Sequence, residues 1–182
     1  MTELEQGVIT PRRARGDPQI PPDAVMAMVR TDLDRITREI SARRVSFSGS
    51  HLFSLFEGGL SGRVPFSVAG PFFGSPHAAA GIEKLTALGA RRFWVLGWCG
   101  AIDPALSVGD MIVPSGAFSE EGTSRLYTGE QAPLAPDGGL TARLDAALEN
   151  RGIPAARGPV WTTDALYRET PSKIRAYGAM GA

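Results

Sequence analysis

The sequence predicts a three-layer α/β fold, in which helices flank a central sheet that is mixed but mostly parallel. Short apolar segments with strand character alternate with segments whose apolar residues recur every three or four positions. Gly-rich turns follow several of the strands, and the clearest case is GPFFGSP at 70–76, which leads into a helix. This alternation is typical of a sheet covered on both faces, with ligands bound at the carboxyl ends of its strands.

The first predicted elements are an apolar strand and an amphipathic helix. The strand is DAVMAMV at 23–29, and the helix at 32–40 carries Leu33, Ile36 and Ile40 at spacings of three and four. Two further strands are expected at 44–47 and 52–57. Glycine-containing breaks then come at 58–59 and 61–62, before a buried strand, VPFSVA, resumes at 64–69.

The later elements repeat the alternation of helix and strand. A helix with small residues at its start is predicted at 77–88, and buried strands are predicted at 92–96 (RFWVL) and 111–113. A helix at 140–149, a short strand at 159–161 and the start of a helix at 172–177 complete the series. Because no strand follows to cover the last one, we expect that the C-terminal part of the natural protein is missing.

Domain organisation follows from the same pattern. Residues 1–22 hold four prolines and several charges without periodicity, so they are predicted to form an extended N-terminal arm. Residues 23–182 are predicted to form a single α/β domain, since a chain of this length suits about one domain.

Composition excludes several classes of function. A formal net charge of +0 argues against a nucleic-acid scaffold, and no apolar run approaches the roughly 20 residues of a membrane helix. The N-terminus has no apolar secretion signal, and the single cysteine, Cys99, fits a reducing compartment, so a cytoplasmic location is expected. Two histidines and one cysteine far apart do not make a metal site, so no metal or other cofactor is expected.

Two glycine motifs are candidate binding sites in the middle of the chain. Gly74, Ser75 and His77 open a helix whose first-turn amides could bind an anion, although a tight turn needs glycine for its backbone shape alone. Gly97, Trp98, Cys99 and Gly100 end a strand, where backbone amides could hold a ligand and Trp98 could line the pocket. Cys99 is interpreted as a small hydrophobic residue rather than a nucleophile.

Two polar motifs are candidate sites in the last third of the chain. The loop EEGTS at 120–124 contributes Glu121 and Ser124; its adjacent carboxylates point in opposite directions if the chain is extended. The segment WTTDALYR at 161–168 brings hydroxyls, a carboxylate and aromatic rings directly after a strand. Thr163 or Asp164 is expected to cap a helix there, and the same segment is expected to form a pocket wall.

Taken in order, these motifs resemble the nucleoside phosphorylase and uridine phosphorylase superfamily. The resemblance covers 24–167, and it extends to a subgroup of the superfamily marked by GWCG, EEGTS and WTTDA followed by Tyr167. The resemblance rests on the following spaced positions: Gly74-x-Pro76, Glu83, Leu85, Leu88-Gly89, Gly97-x-x-Gly100-Ala101, Gly109-Asp110, Pro114, Gly122-x-Ser124 and Thr163-Asp164-x-x-Tyr167. It implies cleavage of an N-glycosidic bond by phosphate or water, in a homo-oligomer that is dimer-based or hexameric.

The chain departs from the family at the positions that bind phosphate. Of the family's Gly-Asp-Pro-x-Arg loop only Asp32 and Arg35 remain; Gly16-Asp17-Pro18 repeats its letters before the first strand and is interpreted as a coincidence. Val95 stands at the strand-end arginine, Trp98 at the turn hydroxyl and His51 near the neighbouring subunit's arginine. Valine and tryptophan cannot replace the anion contacts that are lost, which places phosphorolysis in question.

The leading hypothesis is therefore cleavage of a purine nucleoside, with phosphate as a possible co-substrate and neither nucleic acid nor membrane as a partner. By resemblance, Arg35 and the Gly74–His77 turn would serve the nucleophile, and Gly97–Gly100 would form the pocket floor. The base would face Trp161, Thr162, Thr163, Asp164 and Tyr167. One alternative is a phosphate-independent nucleosidase in which Asp32 or Asp34 holds water, and another is a catalytically degenerate nucleoside-binding paralogue.

Overall fold

The computed structural model describes residues 7–58, 64–128 and 134–182. Two compact units make up the chain, the first running up to Trp98 and the second beginning at Cys99. Residues 7–22 form neither helix nor strand. The extended arm at 1–22 and the single domain at 23–182 stay predictions, and of the glycine-containing breaks predicted at 58–59 and 61–62 only Gly58 lies within the described residues.

A five-stranded mixed sheet forms the first unit. Its order is β2-β3-β4-β1-β5, in which β1 pairs in parallel with β4 and β5, whereas β3 runs antiparallel to β2 and β4. The strands are β1 Asp23–Ala27, β2 Arg43–Val45, β3 Ser54–Gly58, β4 Phe66–Gly70 and β5 Arg92–Leu96, and the helices are α1 Arg30–Glu39 and α2 Gly74–Leu88. The mixed sheet with flanking helices confirms the predicted fold class.

Two apolar clusters hold this sheet between its helices. On one face, Leu33 of α1 and Val68 of β4 are completely buried together. On the other face, Leu85 and Leu88 of α2 are buried with Met26 of β1. Because alternate strand residues point to opposite faces, the buried strand β4 supplies both clusters, with Val68 in the first and Ala69 in the second.

An ion pair fastens the N-terminal segment to this unit. The carboxylate of Asp17 accepts hydrogen bonds from Lys84 Nζ of α2 at 3.0 Å and from the backbone N–H and Oγ of Ser48, each at 2.7 Å. The side chains of Asp17 and Lys84 are only 4% and 12% exposed. Gly16-Asp17-Pro18 is therefore an anchor for the N-terminal segment.

The second unit is built on a parallel pair of strands. These are β6 Ile112–Glu120 and β7 Ala156–Thr163, both longer than the segments predicted at 111–113 and 159–161. A register shift between Pro114 and Gly116 accommodates a proline that has no N–H to donate. Its helices are α3 Ser124–Thr128, α4 Gly138–Glu149 and α5 Pro171–Ala179, and a 3-10 helix spans Leu166–Arg168.

Burial of the strand at 92–96 was expected throughout, and this expectation is wrong at its carboxyl end. Val95 is 62% exposed and Leu96 is 41% exposed. Within the described ranges β5 pairs only with β1, so it has one neighbour where an interior strand has two. Among the described residues, no helix has the length and apolar character needed to cross a membrane.

Candidate active site

The carboxyl ends of β1 and β5 bring together Asp32 and Trp98 in the first unit. These strands are parallel neighbours, with Ala27 opposite Leu96, so the residues that follow them lie at one edge of the sheet. Trp98 Nε1 donates a hydrogen bond to Asp32 Oδ2 at 2.8 Å, while the Trp98 side chain remains 74% exposed. Trp98 was a predicted site residue, and Asp32 was a candidate for holding water.

Arg35 lies on α1, as Asp32 does, and its side chain bonds to another residue of that helix. Its Nε donates to Glu39 Oε1 at 2.9 Å, in an ion pair whose side chains are 78% and 62% exposed. The hydrogen bond and charge of Glu39, together with the charge of Asp32, hold the pKa of Arg35 above its usual value. Arg35 is therefore a permanent cation whose present partner is an exposed carboxylate.

The N-terminus of α2 offers fewer free backbone N–H groups than the Gly74–His77 motif predicted. Pro76 has no N–H, so the first turn presents the amides of Gly74 and Ser75, and no side chain caps them. His77 Nδ1 accepts the backbone N–H of Phe73 at 3.2 Å, so its Nε2 carries the proton that bonds to Leu52 O at 2.9 Å. Both ring nitrogens of His77 are therefore used in fixing the turn.

Glu121 organises the loop that follows β6. Its carboxylate accepts Ser119 Oγ at 2.6 Å and the backbone N–H groups of Thr123 at 2.7 Å and Ser124 at 3.1 Å, and the residue is 7% exposed. Burial acts to raise the pKa of Glu121, but the hydrogen bonds outweigh it and lower the pKa to about 2. Glu121 is therefore a fixed anion that shapes the loop.

Asp164 joins the ends of the two strands of the second unit. Glu120 and Thr163 are opposite each other in the parallel register, so Glu121 and Asp164 are the next residue on each strand. Asp164 Oδ2 accepts the backbone N–H of Gly122 at 2.9 Å. The expected helix cap is wrong, because the 3-10 helix begins after Ala165 without a side-chain cap, and Asp164 instead bonds across to the loop.

Trp161 packs against helix α5. Its ring stacks on Tyr177 with centroids 4.5 Å apart, and its Nε1 donates to Glu120 Oε2 at 3.1 Å. Glu120 also forms an ion pair with Lys173 of α5. This cluster was not predicted from the sequence. Lys173 and Tyr177 are four residues apart, and this spacing indicates two side chains on the same face of a helix.

The remaining predicted site residues divide into exposed and half-buried groups. Cys99 is exposed, so its interpretation as a small hydrophobic residue beside buried ones is wrong. Gly100 is exposed and Tyr167 is 97% exposed, whereas Thr162 and Thr163 are half-buried in β7. Within the ranges described, no three His, Cys, Asp or Glu side chains gather in a way that could hold a metal ion.

Proteins similar to this chain include two nucleoside phosphorylases. Over 101 residues the chain is 38% identical to a guanosine phosphorylase of Halorubrum lacusprofundi, which covers 56% of this chain and 42% of that protein. Over 104 residues it is 38% identical to a uridine phosphorylase of Thermococcus kodakarensis, covering 57% of this chain and 38% of that protein. The chain thus spans about two fifths of the length of these two relatives.

The fold has a counterpart among solved structures. A purine nucleoside phosphorylase from Toxoplasma gondii, in complex with immucillin-H, superposes with a TM-score of 0.81 at 24% identity, over 97% of this chain and 72% of that one. The family model described as the phosphorylase superfamily matches residues 22–182. With most of its length inside that match, the chain belongs to the phosphorylase superfamily.

Proposed function

We propose that the protein cleaves the N-glycosidic bond of a nucleoside and that its substrates are purine nucleosides. The observation that carries the proposal is the junction of Asp164 with the loop at 121–124, because it joins two of the motifs on which the resemblance rests. The guanosine phosphorylase relative supports a purine substrate. The uridine phosphorylase relatives make pyrimidine nucleosides the competing class.

The reaction requires the sugar to pass through an oxocarbenium-like state while the base leaves with the electron pair of its bond. In the proposed roles, Asp164 uses the carboxylate oxygen that is not bonded to Gly122 to hydrogen-bond the base. Tyr167 offers an exposed ring for stacking on the base, since Trp161 already stacks on Tyr177. Glu121 keeps the loop backbone in place.

Water is a candidate nucleophile in place of phosphate, and one observation favours it. Arg30 Nε donates to both oxygens of Asp34, each at 3.0 Å, whereas Trp98 uses only Oδ2 of Asp32. Among the described residues Asp32 Oδ1 has no hydrogen-bond partner, so it can accept a hydrogen bond from a bound water. We therefore assign the water-holding role to Asp32 rather than Asp34.

The assembly and location of the protein are proposed on separate grounds. The resemblance supports a homo-oligomer, and light scattering coupled to size exclusion measures its order. A cytoplasmic location suits the exposed free thiol of Cys99, which an oxidising compartment would convert to a mixed or intermolecular disulfide.

Chromatography of purine and pyrimidine nucleosides incubated with the purified protein, with and without phosphate, tests the proposed function. Free purine base is the expected product, and Asp164→Asn should lower its rate at least about a hundredfold if this carboxylate acts on the base. Asp137→Asn is the matched control, because Asp137 only caps α4 and asparagine caps equally well. Nucleosides that bind but are never cleaved would instead indicate a degenerate binding protein.

A further inference from the structure

The turn between β4 and α2, residues 70–77, contacts the end of β1. The strands β4 and β1 are parallel neighbours, so their carboxyl ends lie at the same edge of the sheet. A Cβ added to Gly70 would collide with the carbonyl oxygen of Ala27, the last residue of β1. Because α1 follows β1 closely and carries Asp32, a change in the shape of this turn acts on the edge where Asp32 lies.

Two backbone groups hold the ring of His77, and together they fix its protonation. The N–H of Phe73, which can only donate, donates to Nδ1 at 3.2 Å, so Nδ1 is unprotonated. The carbonyl oxygen of Leu52, which can only accept, lies 2.9 Å from Nε2, so Nε2 carries the proton. Only the neutral ring with its proton on Nε2 makes both hydrogen bonds.

These hydrogen bonds tie the start of α2 to the loop at 48–52. Phe73 is the N-cap residue of α2, and His77 reaches back to its N–H as the glutamate of a capping box does. The other end of the loop is held by Asp17, which accepts both the backbone N–H and the Oγ of Ser48. His77 therefore links the turn to a loop that is fixed independently of it.

Protonation of His77 would undo this link. A proton on Nδ1 converts the acceptor of the Phe73 N–H into a second donor, so that one donor faces another. The added positive charge would also lie close to the N-terminus of a helix, where the backbone dipole is itself positive. The first turn of α2 holds no acidic residue that could offset this charge.

The groups around His77 do not offset the charge either. Its ring contacts the uncharged ring of Phe72, with centroids 5.3 Å apart. In the loop at 48–52, His51 is exposed and also gains positive charge in acid. On α2, Glu83 and Lys84 stand six and seven residues beyond His77, so neither belongs to the turn that the ring holds.

We propose that His77 is a positioning residue that holds this turn while its ring is neutral and releases it on protonation, so that acid weakens nucleoside cleavage; the effect on cleavage rests on the proposed function. A histidine changes its charge between about pH 5 and 8, which sets the range of this response. His77 does not act on the substrate itself, since both of its ring nitrogens are bonded to the backbone.

The test follows the unmodified protein by nuclear magnetic resonance between about pH 8 and 5. The chain has two histidines, so the ring nitrogen shifts of labelled histidine report the tautomer and titration of His77 apart from those of His51. Exchange of the Phe73 amide hydrogen, corrected for its intrinsic rate at each pH, reports the turn. His51→Gln is the matched control in this measurement, and His77→Gln keeps an acceptor and a donor but does not titrate.

At the alkaline end of the titration we expect the proton of His77 on Nε2. As His77 titrates, protection of the Phe73 amide should fall at least about tenfold, as the loss of one hydrogen bond provides. His51→Gln should show the same fall, and His77→Gln should not. A proton on Nδ1 of the neutral ring, or unchanged protection while His77 titrates, overturns the proposal.

Nucleoside cleavage separates this proposal from the proposed function. In the unmodified protein kcat/KM should fall with the midpoint at which His77 titrates, and this component should be absent from His77→Gln. The same acid dependence in both proteins overturns the positioning role of His77 in the reaction. If exchange at Phe73 follows the titration of His77 but no nucleoside is cleaved at any pH, the proposed function fails while the pH-dependent turn stands.

Discussion

Removing the carboxylate of Asp17 should strongly destabilise the first unit. Asp17 accepts four hydrogen bonds, from Ala14 N–H, Ser48 N–H, Ser48 Oγ and Lys84 Nζ. In Asp17→Ala, Lys84 keeps only Arg12 O and Ser48 Oγ as partners while its side chain is 12% exposed. Breaking a buried ion pair from one side costs about 3–5 kcal/mol, and we expect a loss of that order in the free energy of unfolding.

Urea unfolding followed by circular dichroism measures this loss, and Asp34→Ala is the matched control. Asp34 pairs with Arg30 four residues away in α1, and its side chain is 46% exposed, so its removal should cost only about 0.3–0.5 kcal/mol. The double variant Asp17→Ala/Lys84→Met should recover part of the loss, because no buried ammonium is left unpaired. A cost for Asp17→Ala no larger than that of Asp34→Ala would refute this reasoning.

Lowering the pH should remove the stabilisation that the Asp17 carboxylate provides. Burial acts to raise the pKa of Asp17, but hydrogen bonds from Ser48, Ala14 and Lys84 outweigh it and hold this pKa well below its usual range. Because the folded pKa is lowered, the stabilisation is complete above the ordinary aspartate pKa of about 3.9 and is lost as the pH falls below it. Faster hydrogen exchange at the amides of Ala14 and Ser48 in Asp17→Ala would report the loss locally.

Three further predictions concern buried groups. Glu121→Gln should cost about 1–3 kcal/mol in urea unfolding, and the contribution of Glu121 should fade between its ordinary pKa of 4.5 and about 2 as the pH falls. Ser67→Ala should leave stability unchanged or raise it by up to about 1 kcal/mol in thermal unfolding, because the buried Oγ of Ser67 has no hydrogen-bond partner within the described part of the chain. Gly81→Ala should cost about 1–3 kcal/mol, since its Cβ would lie 2.3 Å from Phe72 Cε1, whereas Gly138→Ala, with open space around it, should not.

The fold could be predicted because its elements carry strong local signals. Leu33 and Ile36 of α1 and Ile40 at its C-cap recur at helical spacing, and these residues pack against the sheet as their pattern requires. The bounds of the strand at 92–96 were predicted correctly. Its burial was predicted wrongly, because the exposure of a strand depends on how many strands pair with it. The bounds of β6 were missed because Pro114 suggested an end that a register shift allows the strand to pass.

The site was less predictable because its contacts cross long distances in the chain. Trp98 and Asp32 are 66 residues apart, and Asp164 and Gly122 are 42 residues apart, so no spacing rule connects either pair. Asp17 was dismissed because its motif precedes the first strand, yet its partner Lys84 lies 67 residues further on. Sequence patterns identify which residues can cap, pair or bind, but the sheet decides which of them meet.

Incubation of a purine nucleoside in water labelled with heavy oxygen, followed by mass spectrometry of both products, tests the central claim most directly. We predict free purine base together with free sugar that carries the heavy oxygen at its anomeric carbon, whether or not phosphate is present. Sugar 1-phosphate formed only with phosphate would contradict the assignment of water as the nucleophile. Intact nucleoside under both conditions would contradict nucleoside cleavage itself.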